Sequence, residues 1–536
     1  MRSVRRGDGR RGWGLGLAAA AGWMALLSGL ARAEVRLPRL FSDGMVIQRD
    51  QAVPVWGWAA AGETVRVRFA GQEKRSRADA GGTWRVELGP VKASAEGRSL
   101  VVSGSAGSRA AEVRDVVVGE VWVCAGQSNM EFALERARDG EKEVAAARFP
   151  GIRLFGVRPV VAREPRDNVE GAWRACTPAS ARKFSAVAYL FGREVHQRLR
   201  VPVGLIHASC GWTPGEAWMS REALLAVPEL RYIVDRWDAI SARHPEARAD
   251  YAARKKAWEA EAKAAKAAGK APPPAPKGPP DPMFIHRAAG LYNGAVAPLA
   301  PFAMRGVVWY QGETNEVRGH QYRLLFPALI RDWRRTWGGR PFPFLFVQVA
   351  NVLPPDPQPR MSEWAELRES QAIALALPNT AMAVTIDIGE EKDVHPKNKQ
   401  DAAHRLALAA RARVYGEKGL VYSGPAYERM AVEEGTIRLH FTHTGSGLMA
   451  KGGELRHFAI AGADRTFVWA DAAIDGATVV VRSPAVPRPV AVRYAWANNP
   501  AGCNLYNREG LPAAPFRTDR WTEKTRGYTV LTVDTF

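Results

Sequence analysis

Apolar residues fall along this chain in two different rhythms. Between residues 35 and 115 they come in short runs: Val46-Ile47-Gln48, Val53-Pro54-Val55-Trp56-Gly57-Trp58, Val65-Arg66-Val67-Arg68-Phe69 and Trp84-Arg85-Val86-Glu87-Leu88. Several alternate with period two, and Gly, Asp and Pro stand between them, the pattern of an antiparallel β-sandwich. From residue 116 the runs become continuous. Residues 116–123, 203–207, 306–310, 344–349 and 381–388 read as buried strands. Between and after them lie helical patterns at 186–199, 322–337, 364–375 and 400–415, the first carrying Val187, Leu190, Phe191, Val195 and Leu199 near 3.6-residue spacing. Apolar strands alternating with helices predict a five-stranded parallel sheet covered on both faces. After residue 430 strand-like runs return at 436–442, 466–470, 478–482 and 490–496.

These rhythms divide the chain into a β-sandwich unit at 34–115, an α/β unit at 116–429 and a β module at 430–536, in keeping with 536 residues. Residues 242–282 interrupt the α/β unit with an Ala/Lys-rich solvated helix and then a Pro-rich, stiff extended stretch. Residues 1–33 read as a secretory signal peptide. Arg2, Arg5, Arg6, Arg10 and Arg11 precede an apolar run, and Ala31-Arg32-Ala33 is a small-x-small cleavage site. Cleavage after Ala33 predicts a secreted or periplasmic protein with no membrane attachment.

Charge and composition narrow the function. The formal charge is +20, and the leader holds six Arg and one Asp, so the remaining chain is near +15. Its basic residues are scattered, and no nucleic-acid-binding motif accompanies them, so a nucleic-acid partner is not expected. Four cysteines do not build a disulfide scaffold. No cluster of His or carboxylates with ligand spacing stands near the candidate chemistry, so neither metal nor cofactor is expected.

Four strand ends carry candidate chemistry, and a parallel sheet gathers its reactive groups at the carboxyl ends of its strands. Gly126-Gln127-Ser128-Asn129-Met130 follows the first strand and places a serine in a strand-to-helix turn. Ala208-Ser209-Cys210-Gly211 follows the second, and Gly211 offers a backbone N–H to an oxyanion. Trp309-Tyr310-Gln311-Gly312-Glu313-Thr314-Asn315 follows the third, with Gln311 or Asn315 as side-chain donor. His395 lies in the loop after the last strand, where it can serve as the base that a serine nucleophile needs. Trp212, Trp218, Trp309 and Trp364, in or near these loops, are candidates to stack on sugar rings or to fill the core.

The order Ser, Gly, Gln/Asn, His resembles the SGNH hydrolase superfamily. More closely, the chain resembles the sialate O-acetylesterase family, from about residue 35 onward. The matching stretches begin at Leu37-Pro38-Arg39-Leu40-Phe41-Ser42-Asp43-Gly44-Met45 and continue through Val121-Trp122-Val123-Cys124-Ala125-Gly126-Gln127-Ser128-Asn129-Met130-Glu131, Gly215-Glu216-Ala217-Trp218-Met219-Ser220, Trp309-Tyr310-Gln311-Gly312-Glu313-Thr314-Asn315 and His395-Pro396-Lys397-Asn398-Lys399-Gln400. The resemblance implies a flavodoxin-like α/β sheet and an esterase that removes O-acetyl groups from sugars without metal or cofactor. Ser128 and His395 would be catalytic, with Gly211, Gln311, Asn315, Gln127 and Glu313 as the oxyanion- and substrate-binding set. Acetylxylan or acetylated pectin are alternative substrates, and a non-catalytic carbohydrate-binding protein is the distant rival. Two departures stand out. The superfamily's acid lies three residues before the His, where this chain has Lys392, so Asp393 is the expected acid and a Ser-His dyad the alternative. Cys210 stands where an aromatic residue is expected, and a Cys124–Cys210 disulfide is conceivable beside the reading of two free thiols.

Overall fold

A computed structural model describes residues 35–105 and 110–529; the leader at 1–33 lies outside them. The central sheet is built from β1 (Ala111–Gly126), β2 (Phe149–Gly156), β3 (Trp173–Cys176), β4 (Val203–Ser209), β5 (Gly306–Tyr310), β6 (Phe344–Val347) and β7 (Thr380–Ala383). Their order is β7-β6-β5-β1-β4-β2-β3. Every neighbouring pair is parallel except β2 with β3. The expected five strands are all present, but the parallel sheet has a sixth member, β2, and an antiparallel edge, β3. Both additions are short or interrupted by Gly and Arg, so neither shows the continuous apolar run that marks the other five.

Alternate residues of each strand enter opposite cores, as the period of two requires. Val121, Val123 and Ala125 of β1 face one core, and Trp122 and Cys124 face the other. The helices complete both layers. Leu325, Phe326, Leu329, Ile330 and Trp333 of the helix Gly319–Thr336 lie in the first core. Leu190 and Phe191 of the helix Ala186–Leu199, with Leu406 and Ala410 of the helix Lys399–Arg413, lie in the second.

The two halves of β1 serve different sheets. Its first half pairs antiparallel with the strand Ser94–Gly104 and parallel with Val46–Gln48, inside the N-terminal β structure. Its second half lies between β4 and β5. One continuous strand therefore crosses residue 115, where the change of rhythm suggests a boundary. The helix Arg231–Ala267 and the extended stretch after it occupy the Ala/Lys/Pro-rich segment. The C-terminal part forms antiparallel sheets, including Ala426–Glu433, Thr436–Thr442, Thr478–Arg482 and Asp471–Asp475 in that order.

Arg368 fastens this C-terminal part to the central sheet. It is fully buried, and its guanidinium donates to the carbonyls of Val349, Ala350, Ala497 and Asn498 at 2.7–3.0 Å. With no carboxylate among the described residues paired to it, burial pushes its pKa down to about 9. The four cysteines are free thiols. Cys124 is packed in one core while Cys210 leans on the other, so the conceivable disulfide does not form.

Candidate active site

Strand order around β1 reverses at its carboxyl end, with β5 on one side and β4 on the other. A crevice opens at such a reversal. Ser128 begins the four-residue helix Ser128–Glu131 directly after β1. The turn that precedes it needs Gly126, whose φ is +143°; a Cβ there would stand 2.0 Å from the Tyr310 carbonyl oxygen. Glycine lets the neighbouring strand come this close.

The loop after β7 brings His395 to the serine. His395 Nε2 lies 2.8 Å from Ser128 Oγ, and His395 Nδ1 lies 3.0 Å from Asp393 Oδ1. The same Asp393 oxygen accepts the His395 backbone N–H at 2.9 Å. An aspartate that binds the backbone two residues on forms a tight local turn, which explains how a spacing of two places the carboxylate under the ring. Burial raises the Asp393 pKa, but the two hydrogen bonds from His395 outweigh it and hold the carboxyl below its ordinary value. Glu391 is exposed, and its backbone carbonyl accepts from Leu353 N–H. Asp387 is held by Arg405 at 2.7 and 2.8 Å and by the Tyr506 hydroxyl at 3.0 Å.

The remaining expected site residues are placed differently. Gln311 and Asn315 are buried to 0% and 1% exposure. The Gln311 amide donates to Thr213 O and to Asn315 Oδ1, and its oxygen accepts from the Tyr322 hydroxyl. Asn315 donates to Glu216 and accepts from Gly215 N–H. Both side chains brace the loops after β4 and β5 against each other, a use that follows from their depth. Gln127 is a brace as well, its Oε1 accepting from Gly312 and Thr314 N–H at 3.2 and 3.4 Å. Gly211 does approach the nucleophile, since a Cβ on it would lie 3.4 Å from Ser128 Cβ. Its N–H, however, donates to Glu131 Oε2 at 2.6 Å. Trp218 and Trp309 are core side chains at 0% exposure, whereas Trp212 is exposed and Trp364 half-buried.

Behind the serine lies a polar network that takes up Glu313, expected among the substrate-binding residues, together with Asn129 and Lys399, to which the sequence reading gives no role. Asn129 Nδ2 donates to Glu313 Oε1 and to the Val394 carbonyl, and Asn129 Oδ1 accepts from Lys399 Nζ. The network ties the nucleophile's helix to the His395 loop. Lys399 Nζ also stands 4.6 Å from the centroid of Phe132, which in turn stacks against His395. Burial pushes the Lys399 pKa down to about 7, against the opposing pull of Glu313, Asp393 and Glu390. Burial likewise raises that of Glu313. A sequence signal for Lys399 exists: it falls on the buried stripe of its helix with Ala402, Ala403, Leu406 and Ala410, where a lysine is out of place. Among the described residues, no three His, Cys, Asp or Glu side chains are grouped to hold a metal ion, and no helix is long and apolar enough to cross a membrane.

Comparison with known proteins identifies the family of the chain. Residues 284–412 match the family model for carbohydrate esterase, sialic acid-specific acetylesterase. The rat sialate O-acetylesterase is 31% identical over 530 residues, covering 90% of this chain and 94% of that protein. The human sialate O-acetylesterase is 29% identical over 533 residues, covering 90% and 92%. A crystal structure of a carbohydrate acetylesterase from Xanthomonas citri is 40% identical and superposes with a TM-score of 0.77, over 91% of this chain and all of that one. The chain belongs to the sialate O-acetylesterase family and is a carboxylic ester hydrolase of carbohydrate O-deacetylation.

Proposed function

We propose that this protein is a secreted, SGNH-type esterase that removes O-acetyl groups from sugars through an acetyl-serine intermediate. The carrying observation is the chain of contacts Ser128 Oγ–His395 Nε2–Asp393, at 2.8 and 3.0 Å. In this reading His395 is neutral, with its proton on Nδ1 toward Asp393, so that Nε2 accepts the Ser128 hydroxyl proton as Oγ attacks the acetyl carbonyl. The His395 imidazolium then gives that proton to the departing sugar oxygen. Water, deprotonated by the same nitrogen, releases acetate and restores Ser128. Asp393 keeps the tautomer and stabilises the imidazolium. The negative oxygen of the tetrahedral intermediate takes the N–H groups of Ser128 and Gly211, and the Glu131 carboxylate leaves Gly211 as substrate enters. That carboxylate marks the position, for an anionic oxygen at hydrogen-bond distance from Gly211 N–H is what an oxyanion hole holds. Export through residues 1–33 puts the enzyme where polymeric glycans are met.

The test is acetate release from O-acetylated sialic acid, acetylxylan and acetylated pectin, measured side by side. The parent protein releases acetate from at least one of them. Ser128→Ala lowers turnover at least about a thousandfold on all, with a nearly unchanged thermal midpoint because only one half-buried hydroxyl is lost. Parent-like turnover in Ser128→Ala overturns the nucleophile.

A further inference from the structure

A cavity of about 350 Å³ opens between residues 359–361 and the C-terminal β structure, within the size range of small-molecule sites (~300–1,000 Å³). Its walls are aromatic and cationic. Phe467, Trp469, Trp496 and Trp521 line it together with Arg465 and Arg493. Each side chain is held in place. Trp469 Nε1 donates to the Pro357 carbonyl at 2.9 Å, leaving a ring that is 37% exposed. Arg493 is fixed by a two-pronged pair with Asp519 at 2.8 and 3.0 Å, and its guanidinium lies 4.1 Å from the Phe467 centroid and 5.4 Å from that of Trp496. Trp521 packs on Phe467 at 5.5 Å between centroids, and the Arg465 guanidinium stands 5.5 Å from its ring.

Two valences of this wall are open. Trp496 has a buried indole N–H with no acceptor among the described residues. Arg465 is exposed and has no carboxylate partner there, whereas Arg493 is paired with Asp519 and Arg360 with Asp356. Flat indoles take the C–H face of a pyranose. An unpaired guanidinium takes a carboxylate in two-pronged fashion, and an unmet indole N–H takes an oxygen.

The cavity adjoins a second recess. A neighbouring recess of about 380 Å³, lined by Glu316, Val317, Leu353 and Trp364, shares Arg360 and Met361 with it. Glu316 and Val317 follow Glu313, which holds Asn129 beside the nucleophile, and Leu353 N–H donates to Glu391 in the loop of His395. The recess is thus walled by segments adjoining both the Asn129 network and the His395 loop.

We infer that the aromatic cavity binds a carboxylate-bearing glycosyl unit of the same oligosaccharide whose acetylated unit lies at Ser128. The inference rests on the carbohydrate substrate and adds a distal subsite to it. Its test reads binding alone. In full-length Ser128→Ala protein, trigalacturonic acid, 3′-sialyllactose and neutral xylotriose are titrated by calorimetry. A carboxylated oligosaccharide binds more tightly than xylotriose, and the tighter of the two acids identifies which carboxylated sugar the site takes. Arg465→Gln, a change at an exposed side chain, weakens that binding at least about fivefold, and Trp521→Ala at least about tenfold. Equal affinity for the acids and xylotriose overturns the inference, as does unchanged binding in Arg465→Gln, which remains decisive should Trp521→Ala fail to fold. Loss of the acetate-release reading is a separate result, since it is scored on the parent protein with acetylated substrates.

Discussion

At the scale of single residues, the Asp393–His395 contact makes a prediction that sequence spacing alone does not. Asp393 Oδ1 receives both the His395 ring and its backbone N–H, so the carboxylate sets the ring and shapes the turn at once. Asp393→Asn lowers kcat at least about tenfold by disturbing the tautomer, whereas Glu391→Gln, at an exposed side chain, leaves kcat within about twofold. Steady-state rates on a small acetyl ester check both; parent-like rates in both variants, with His395→Ala inactive, would return the site to a Ser-His dyad. Lys399 makes a prediction about pH. Its folded pKa is about 7, while an unfolded lysine stays protonated to about 10.4. Between those values the unfolded chain holds a proton that the folded chain lacks, so this group makes stability rise with pH across that window. Lys399→Met removes that rise, and denaturation midpoints at pH 7.5 and 9.5 compare the slopes. The meeting of Ser128, His395 and Asp393 is legible in the sequence because the proposed chemistry requires those residue types at strand ends. The buried bracing by Gln127, Gln311 and Asn315 is not legible, because an amide that binds backbone and an amide that binds an oxyanion look alike until their neighbours are known.

At the scale of elements, the turn after β1 leaves no room for a side chain at Gly126. Gly126→Ala would place a methyl group 2.0 Å from the Tyr310 carbonyl oxygen at a φ of +143°, a conformation that costs L residues dearly. The expected outcome is a lower thermal midpoint together with at least a tenfold loss of turnover, since Ser128 moves with the turn; parent-like values for both would show that the β1–β5 pairing yields more easily than its geometry implies. The five strands that read clearly from sequence are those buried on both faces. β3 escapes because it is a four-residue edge strand with two exposed side chains, and β2 because Gly and Arg break its apolar run. The helix Gly319–Thr336 is legible because one side of it carries Leu325, Phe326, Leu329, Ile330 and Trp333 at helical spacing.

At the scale of the whole molecule, Arg368 links the α/β and C-terminal parts through four carbonyl groups. Arg368→Met leaves those acceptors buried without donors and lowers the unfolding free energy by about 3–5 kcal/mol, read by urea denaturation; a loss below about 1 kcal/mol would mean that water replaces the guanidinium at the seam. The strand β1 carries a different consequence. Because its first half is hydrogen-bonded into the N-terminal β structure and its second half ends two residues before Ser128, Ser128 hangs from a beam clamped in another layer. A shortened chain that starts at residue 116 cuts the beam at mid-span and bares the unpaired amides of Val116, Val117 and Val118. Such an edge invites pairing with a second chain, so the N-terminal β structure both guards the α/β part against self-association and fixes where Ser128 stands.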